Sequence, residues 1–185
     1  MAHSVPMRCK RMVHTMTTTL MAITMMLSPA DYVDAAISTC KTSIKSPDRK
    51  MLEAVLDEEV KAGWPKKYRG SILAAACRES GFNPKAQGDC KAGGVCKAVG
   101  LLQLWPWAAR RYAIDRENPI DSARVWARQI AKTAKKARRK GCSRPWVVAW
   151  AWVASGPKGW SCNRAPRHLR QLRKMKRALR YKRSN

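Results

Sequence analysis

Several ingredients are scarce in this chain of 185 residues, and each scarcity excludes something. Acidic residues number 12 against 38 Lys and Arg, a formal net charge of +26, so the partner the charge calls for is anionic. There are three histidines and no Cys-x-x-Cys pair, which argues against a zinc framework. Neither a metal nor a cofactor is expected. Strand-like alternation of useful length is missing, as is any internal repeat. Apart from the N-terminal region, no segment approaches the length of a membrane span. What remains is apolar at helical spacing. The expected fold class is therefore all-α, in one domain stapled by disulfides and monomeric.

The N-terminus reads differently from the rest. Arg8, Lys10 and Arg11 precede the uncharged stretch Met16 to Ala30, and small residues offer cleavage after Ala30 or after Ala35. This pattern is that of a secretory signal peptide over residues 1–35, leading to a secreted or periplasmic product. Thr17, Thr18 and Thr19 weaken its apolar core, which leaves a disordered or membrane-anchoring segment as the alternative.

The cysteines agree with export. Cys9 falls within the presumed signal, and the others are Cys40, Cys77, Cys90, Cys96, Cys142 and Cys162, an even set suited to an oxidising compartment. Cys90–Cys96 and Cys142–Cys162 would each close a glycine-containing loop. Cys40–Cys77 would then tie the N-terminal segment to a central helix. Removing Arg8, Lys10, Arg11, Asp31 and Asp34 leaves a net charge of +25 from Ile37 onward. Nucleic acid, anionic lipid and wall polymer all qualify as partners on charge alone.

Helix signals divide the remainder. Ser46-Pro47-Asp48 opens a helix to about Ala62, with Met51, Leu52, Val55, Leu56 and Val60 in period and Gly63 behind it. A second, alanine-rich helix is expected from about Lys67 to Glu79, and Gly81 to Val99 reads as a loop. Trp105-Pro106 starts a short helix to Tyr112, and Asn118-Pro119 starts a long one to Lys140. The stripe of the long helix is Ile120, Ala123, Trp126 (or Ala127) and Ile130. Arg144-Pro145 leads an apolar helix to Ala154, which Gly156-Pro157 stops. A final helix carries Leu169, Leu172, Met175 and Leu179 in a basic background. The main helical domain is bounded at residues 36–165, with residues 166–185 as a basic C-terminal helix.

Glu79 stands at the end of the apolar run that begins at Ile72. A carboxyl buried there would be costly to ionise, its pKa would rise, and it could protonate a leaving-group oxygen. The segments Glu79-Ser80-Gly81-Phe82-Asn83-Pro84 and Ala98-Val99-Gly100-Leu101-Leu102-Gln103-Leu104-Trp105-Pro106, with Asn118-Pro119-Ile120 beyond them, resemble the soluble lytic transglycosylase (SLT) family. The likeness covers about Ser71 to Ala127 well and continues weakly to Pro157. It implies a lysozyme-like fold related to goose-type lysozymes, with peptidoglycan as substrate.

The resemblance also implies roles. Glu79 would protonate the oxygen between N-acetylmuramic acid and N-acetylglucosamine. Attack by the sugar's own 6-hydroxyl then gives a 1,6-anhydro product, so no second carboxylate is required. Ser80 would hydrogen-bond the carboxyl or the substrate acetamide. Gln103 would line the cleft, and Gly100 would let backbone approach the ligand. Where the family carries Ala-Tyr-Asn-Ala-Gly, this chain has Ala151-Trp152-Val153-Ala154-Ser155-Gly156. Trp152 could stack on a sugar but has no phenolic hydroxyl.

Gly88-Asp89 resembles a pair in goose-type lysozymes whose aspartate positions water, which keeps an inverting muramidase open as an alternative. An Asx turn is the plainer reading of Asp89. Trp105, Trp107, Trp146 and Trp150 are further groove or core candidates. Between Arg164 and Arg183 there are ten Lys/Arg and no acid, suited to an anionic wall polymer or membrane surface. No base-reading motif accompanies that charge, so nucleic acid is disfavoured. A non-catalytic cationic protein that binds wall or membrane is the alternative from another class.

Overall fold

The computed structural model describes residues 27–42, 44–155, 161–163 and 169–184. Most of the presumed signal, Gly156-Pro157 and His168 lie outside these residues.

Seven α-helices are present among the described residues: α1 (Pro29–Thr39), α2 (Arg49–Lys61), α3 (Ser71–Ser80), α4 (Pro106–Tyr112), α5 (Pro119–Arg139), α6 (Pro145–Ser155) and α7 (Leu169–Ser184). The fold is helical, lysozyme-like and disulfide-bonded. The cap of α2 is Asp48, whose side chain accepts from the Met51 amide, rather than Ser46. Asn118 caps α5 by accepting from Ile120 and Asp121.

The helix expected from Lys67 to Glu79 is divided. Lys66–Tyr68 form a single 3-10 turn, and α3 begins only after Gly70, whose φ of 88° no helix accommodates. The segment read as a loop also carries order. Gln87–Cys90 (β1) and Cys96–Val99 (β2) pair antiparallel, with Gly88 opposite Ala98 and Cys90 opposite Cys96. Both strands are four residues long, and their burial does not alternate cleanly, so period-two hydrophobicity had nothing to register.

The core lies where α2, α3, α5 and α6 meet. Leu52, Val55, Leu56, Ile72, Leu73, Ala127, Ile130 and Ala149 are fully buried there. Four tryptophans line the seam of α2, α5 and α6. Trp64 stacks on Trp126 at 5.9 Å and meets Trp146 at 5.6 Å, while Trp126 meets Trp150 edge-on at 6.2 Å. The Trp64 indole donates to the Ala127 carbonyl at 3.1 Å. This seam accounts for much of the tryptophan-rich, phenylalanine-poor composition, and it assigns Trp146 and Trp150 to the core.

Both ends of the described chain belong to the same core. Ser28 and Asp31 form a reciprocal cap at the start of α1, and Val33, Ala35 and Ala36 are buried. Leu172, Met175 and Leu179 of α7 are buried as well, so the apolar stripe of this basic helix is covered by protein and unavailable for insertion into lipid. The three disulfides pair Cys40 with Cys77, Cys90 with Cys96, and Cys142 with Cys162, as the spacing predicted.

Candidate active site

Helix α3 owes its position to groups outside it. At its N-terminus the Glu59 carboxylate accepts from the amides of Gly70 (2.8 Å) and Ile72 (2.6 Å), filling two of the donors a helix start leaves unpaired. Glu59 is 1% exposed. Burial pushes its pKa up to about 8, opposed by those two amides and by the charges of Arg69 and Lys176. At the other end Gly81 takes φ 59° and closes the helix, with its amide donating to Ala76 and Cys77. The Thr42 hydroxyl donates to the Gly81 carbonyl, and Cys40 is bonded to Cys77.

Burial along α3 stops at Ala76, and Arg78 and Glu79 are exposed. This corrects the expectation that Glu79 is a buried carboxyl. The last helical turn opens to solvent. The carboxyl with the expected character is Glu59, at the opposite end of the helix. Its signal in the sequence was a glutamate on the apolar face of α2, close to Val55 and Leu56.

The two motifs are joined by Ser80. Its hydroxyl lies 2.8 Å from the Leu101 carbonyl and 3.0 Å from that of Ala76, and it serves one or the other as donor. This bond ties the residue next to Glu79 to the turn at residues 100–103. Ser80 fixes that arrangement and has only lone pairs left to offer a ligand.

Within the turn, Gly100 has φ 85°, and a Cβ there would lie 2.0 Å from the Arg116 carbonyl oxygen. The close approach that requires glycine is thus to the chain before α5, not to a ligand. The Gly100 amide donates to Ala86 at 2.8 Å. Gln103 is likewise committed inward: Nε2 donates to the carbonyls of Ala86 (3.1 Å) and Gly100 (2.9 Å). Its Oε1 packs so tightly on Gly88 that a Cβ there would meet it at 2.3 Å. Expected to face a sugar, Gln103 instead welds the hairpin to the turn. Arg116, missed by the sequence reading, does similar work through Nη1, which donates to Lys97 (2.8 Å) and Leu104 (3.0 Å).

Asp89 is exposed in β1 with φ 51°, and so lies on a strand rather than in an Asx turn. Trp152 is half-buried on α6, with Lys136 of α5 at 5.9 Å from its ring. Trp105 and Trp107, at the start of α4, are 44% and 53% exposed. Lys97 of β2 stands 5.4 Å from the Trp105 ring, which connects the hairpin to this exposed aromatic edge.

Glu79 lies in the last turn of α3, and the residue after it is bonded to a glycine-anchored turn, within a helical, disulfide-bonded domain. The family model of the transglycosylase SLT domain matches residues 61–155, a span that is just over half of the chain and contains both motifs. The chain belongs to the transglycosylase SLT domain family. That membership carries, at family level, lytic transglycosylase activity on peptidoglycan. Comparisons with curated proteins and with solved structures gave no match.

Proposed function

We propose that the protein is a peptidoglycan lytic transglycosylase in which Glu79 is the single acid and base. The observation that supports this most is the Ser80–Leu101 hydrogen bond, because it ties the residue next to Glu79 to the turn of the second motif. Glu79 protonates the glycosidic oxygen between N-acetylmuramic acid and N-acetylglucosamine as the bond breaks through an oxocarbenium-like state. The carboxylate so formed removes the proton from the 6-hydroxyl as that oxygen closes on C1. The product is a 1,6-anhydro sugar, and Glu79 ends protonated as it began. Trp152 is the candidate for stacking on the sugar in place of the family's tyrosine.

Export through an N-terminal signal is part of this reading, and three disulfides support it. A cut after Ala30 would remove the Ser28 cap and the first two residues of α1 but leave its buried Val33, Ala35 and Ala36 in place. A cut after Ala35 would divide α1 and discard Val33 from the core.

The test is digestion of purified peptidoglycan by the oxidised protein and by Glu79→Gln, with the released fragments weighed by mass spectrometry. Anhydro-muramyl fragments from the first and none from the second are expected. Fragments heavier by one water would instead assign hydrolysis and make Asp89 the residue to change next. No release from either protein would overturn the enzymatic reading and leave a cationic wall-binding protein.

A further inference from the structure

We propose that the outer face of α5 is a docking surface for a linear phosphodiester polymer of the polyol-phosphate kind attached to peptidoglycan. Arg128, Lys132, Lys135 and Arg139 recur at intervals of four, three and four residues, so they form one stripe along the helix. All four are exposed. At 1.5 Å per residue the stripe is about 16 Å long, with neighbouring Cβ atoms about 5–6 Å apart. Lys132, Lys135, Arg138 and Arg139 surround a shallow, open depression on this face. None of the motif residues lines it.

The stripe is not a by-product of neutralised surface charge. The acid of α5 is Asp121, in its first turn, and Arg124 engages both Asp121 (2.8 Å) and Glu58 (3.6 Å). Arg128, Lys132, Lys135, Arg138 and Arg139 have no ion-pair partner among the described residues. Cations of one sign at such spacing repel each other and weaken the helix. They are relieved by an anion laid along them.

The geometry also selects the anion. The apolar side of α5 is fully committed, with Ala123, Ala127, Ile130 and Ala137 at 0% exposure. The helix therefore has no free apolar face to insert into lipid, and the four stripe cations are spaced along its axis. Each stripe position is Lys or Arg, and the Trp152 ring beside this helix faces Lys136 rather than a stripe residue. A flexible chain carrying phosphates and no bases meets both conditions. In a protein of this family, such a polymer would hold the enzyme on the wall independently of its cleavage chemistry.

Binding would be measured with purified poly(glycerol phosphate), using the oxidised chain and two quadruple variants. One replaces Arg128, Lys132, Lys135 and Arg139 by Gln; the other replaces Arg170, Arg173, Lys174 and Arg177 of α7 by Gln and so matches the charge loss. Circular dichroism verifies that each is folded, and a single Lys135→Glu variant serves if the first is not. The α5 variant is expected to lose about tenfold or more in affinity and to show a shallower salt dependence, and the α7 variant less than about threefold. Equal losses would overturn the proposal, because affinity would then follow net charge alone. Tighter binding to single-stranded oligonucleotide, or to vesicles of one part phosphatidylglycerol to three of phosphatidylcholine, would overturn it in favour of those partners. So would undiminished attachment to peptidoglycan stripped of its phosphate polymers.

Discussion

Replacing Gly100 by alanine is the sharpest test of how the site is built. Two costs combine. A residue with a side chain at φ 85° pays for a left-handed conformation, about 1–2 kcal/mol. The new Cβ would also lie 2.0 Å from the Arg116 carbonyl oxygen, which belongs to backbone and cannot rotate away. Displacing packed structure costs about 1–3 kcal/mol more. The sum is about 2–5 kcal/mol, which in a domain of this size lowers the melting temperature by about 10 °C.

Gly141→Ala is the control. Its φ is 75°, and nothing lies within 4 Å of the added carbon, so only the conformational part applies. Differential scanning calorimetry of both variants separates the two contributions. Loss of peptidoglycan digestion is expected from Gly100→Ala even below its transition, since the displaced turn carries Leu101, to which Ser80 is bound. Equal shifts in the two variants would refute the close approach as the reason for glycine.

Three further outcomes are expected. Glu59 has a folded-state pKa of about 8 against an ordinary 4.5, so the folded protein binds the extra proton between those values. Its contribution is complete below pH 4.5 and declines as pH rises toward 8, and thermal scans across that window should show a fall that Glu59→Gln flattens. Removing Cys40–Cys77, with a sequence separation of 37, should cost about 4 kcal/mol by loop entropy. Removing Cys90–Cys96, with a separation of 6, should cost about 2, and paired-alanine variants in urea titrations would reverse or confirm that order. Ser80→Ala should cost about 1 kcal/mol of stability and lower kcat more than it raises KM, a split that steady-state digestion would reveal.

The helices were readable because their signals are local. Proline at the starts of α4, α5 and α6, glycine after α2 and α5, and apolar periods in α2 and α5 state their limits within a few residues of each boundary. Two of the disulfides were favoured from loop closure and Cys40–Cys77 followed as the remaining pair. The break at Gly70 was not, because it is stabilised by Glu59, a residue eleven positions earlier. Nor was the exposure of Glu79. An apolar run announces a buried helix but does not say at which turn the helix leaves the core. The inward commitment of Gln103 depends on Ala86 and Gly88 folding back over it, a tertiary fact with no counterpart in spacing.

The fastening of α3 at both ends has a consequence for transplantation. Glu59 and the Gly70 corner secure one terminus; Cys40, Thr42 and Leu101 secure the other. The acid-bearing segment is therefore not a portable cassette. Grafted into another helical scaffold with its sequence intact, it would arrive without three of the anchors that orient it, since Cys40, Thr42 and Glu59 all precede residue 61, where the matched family domain begins. A shortened version of the protein cut to the family boundary would keep every motif residue and lose the frame that aims them.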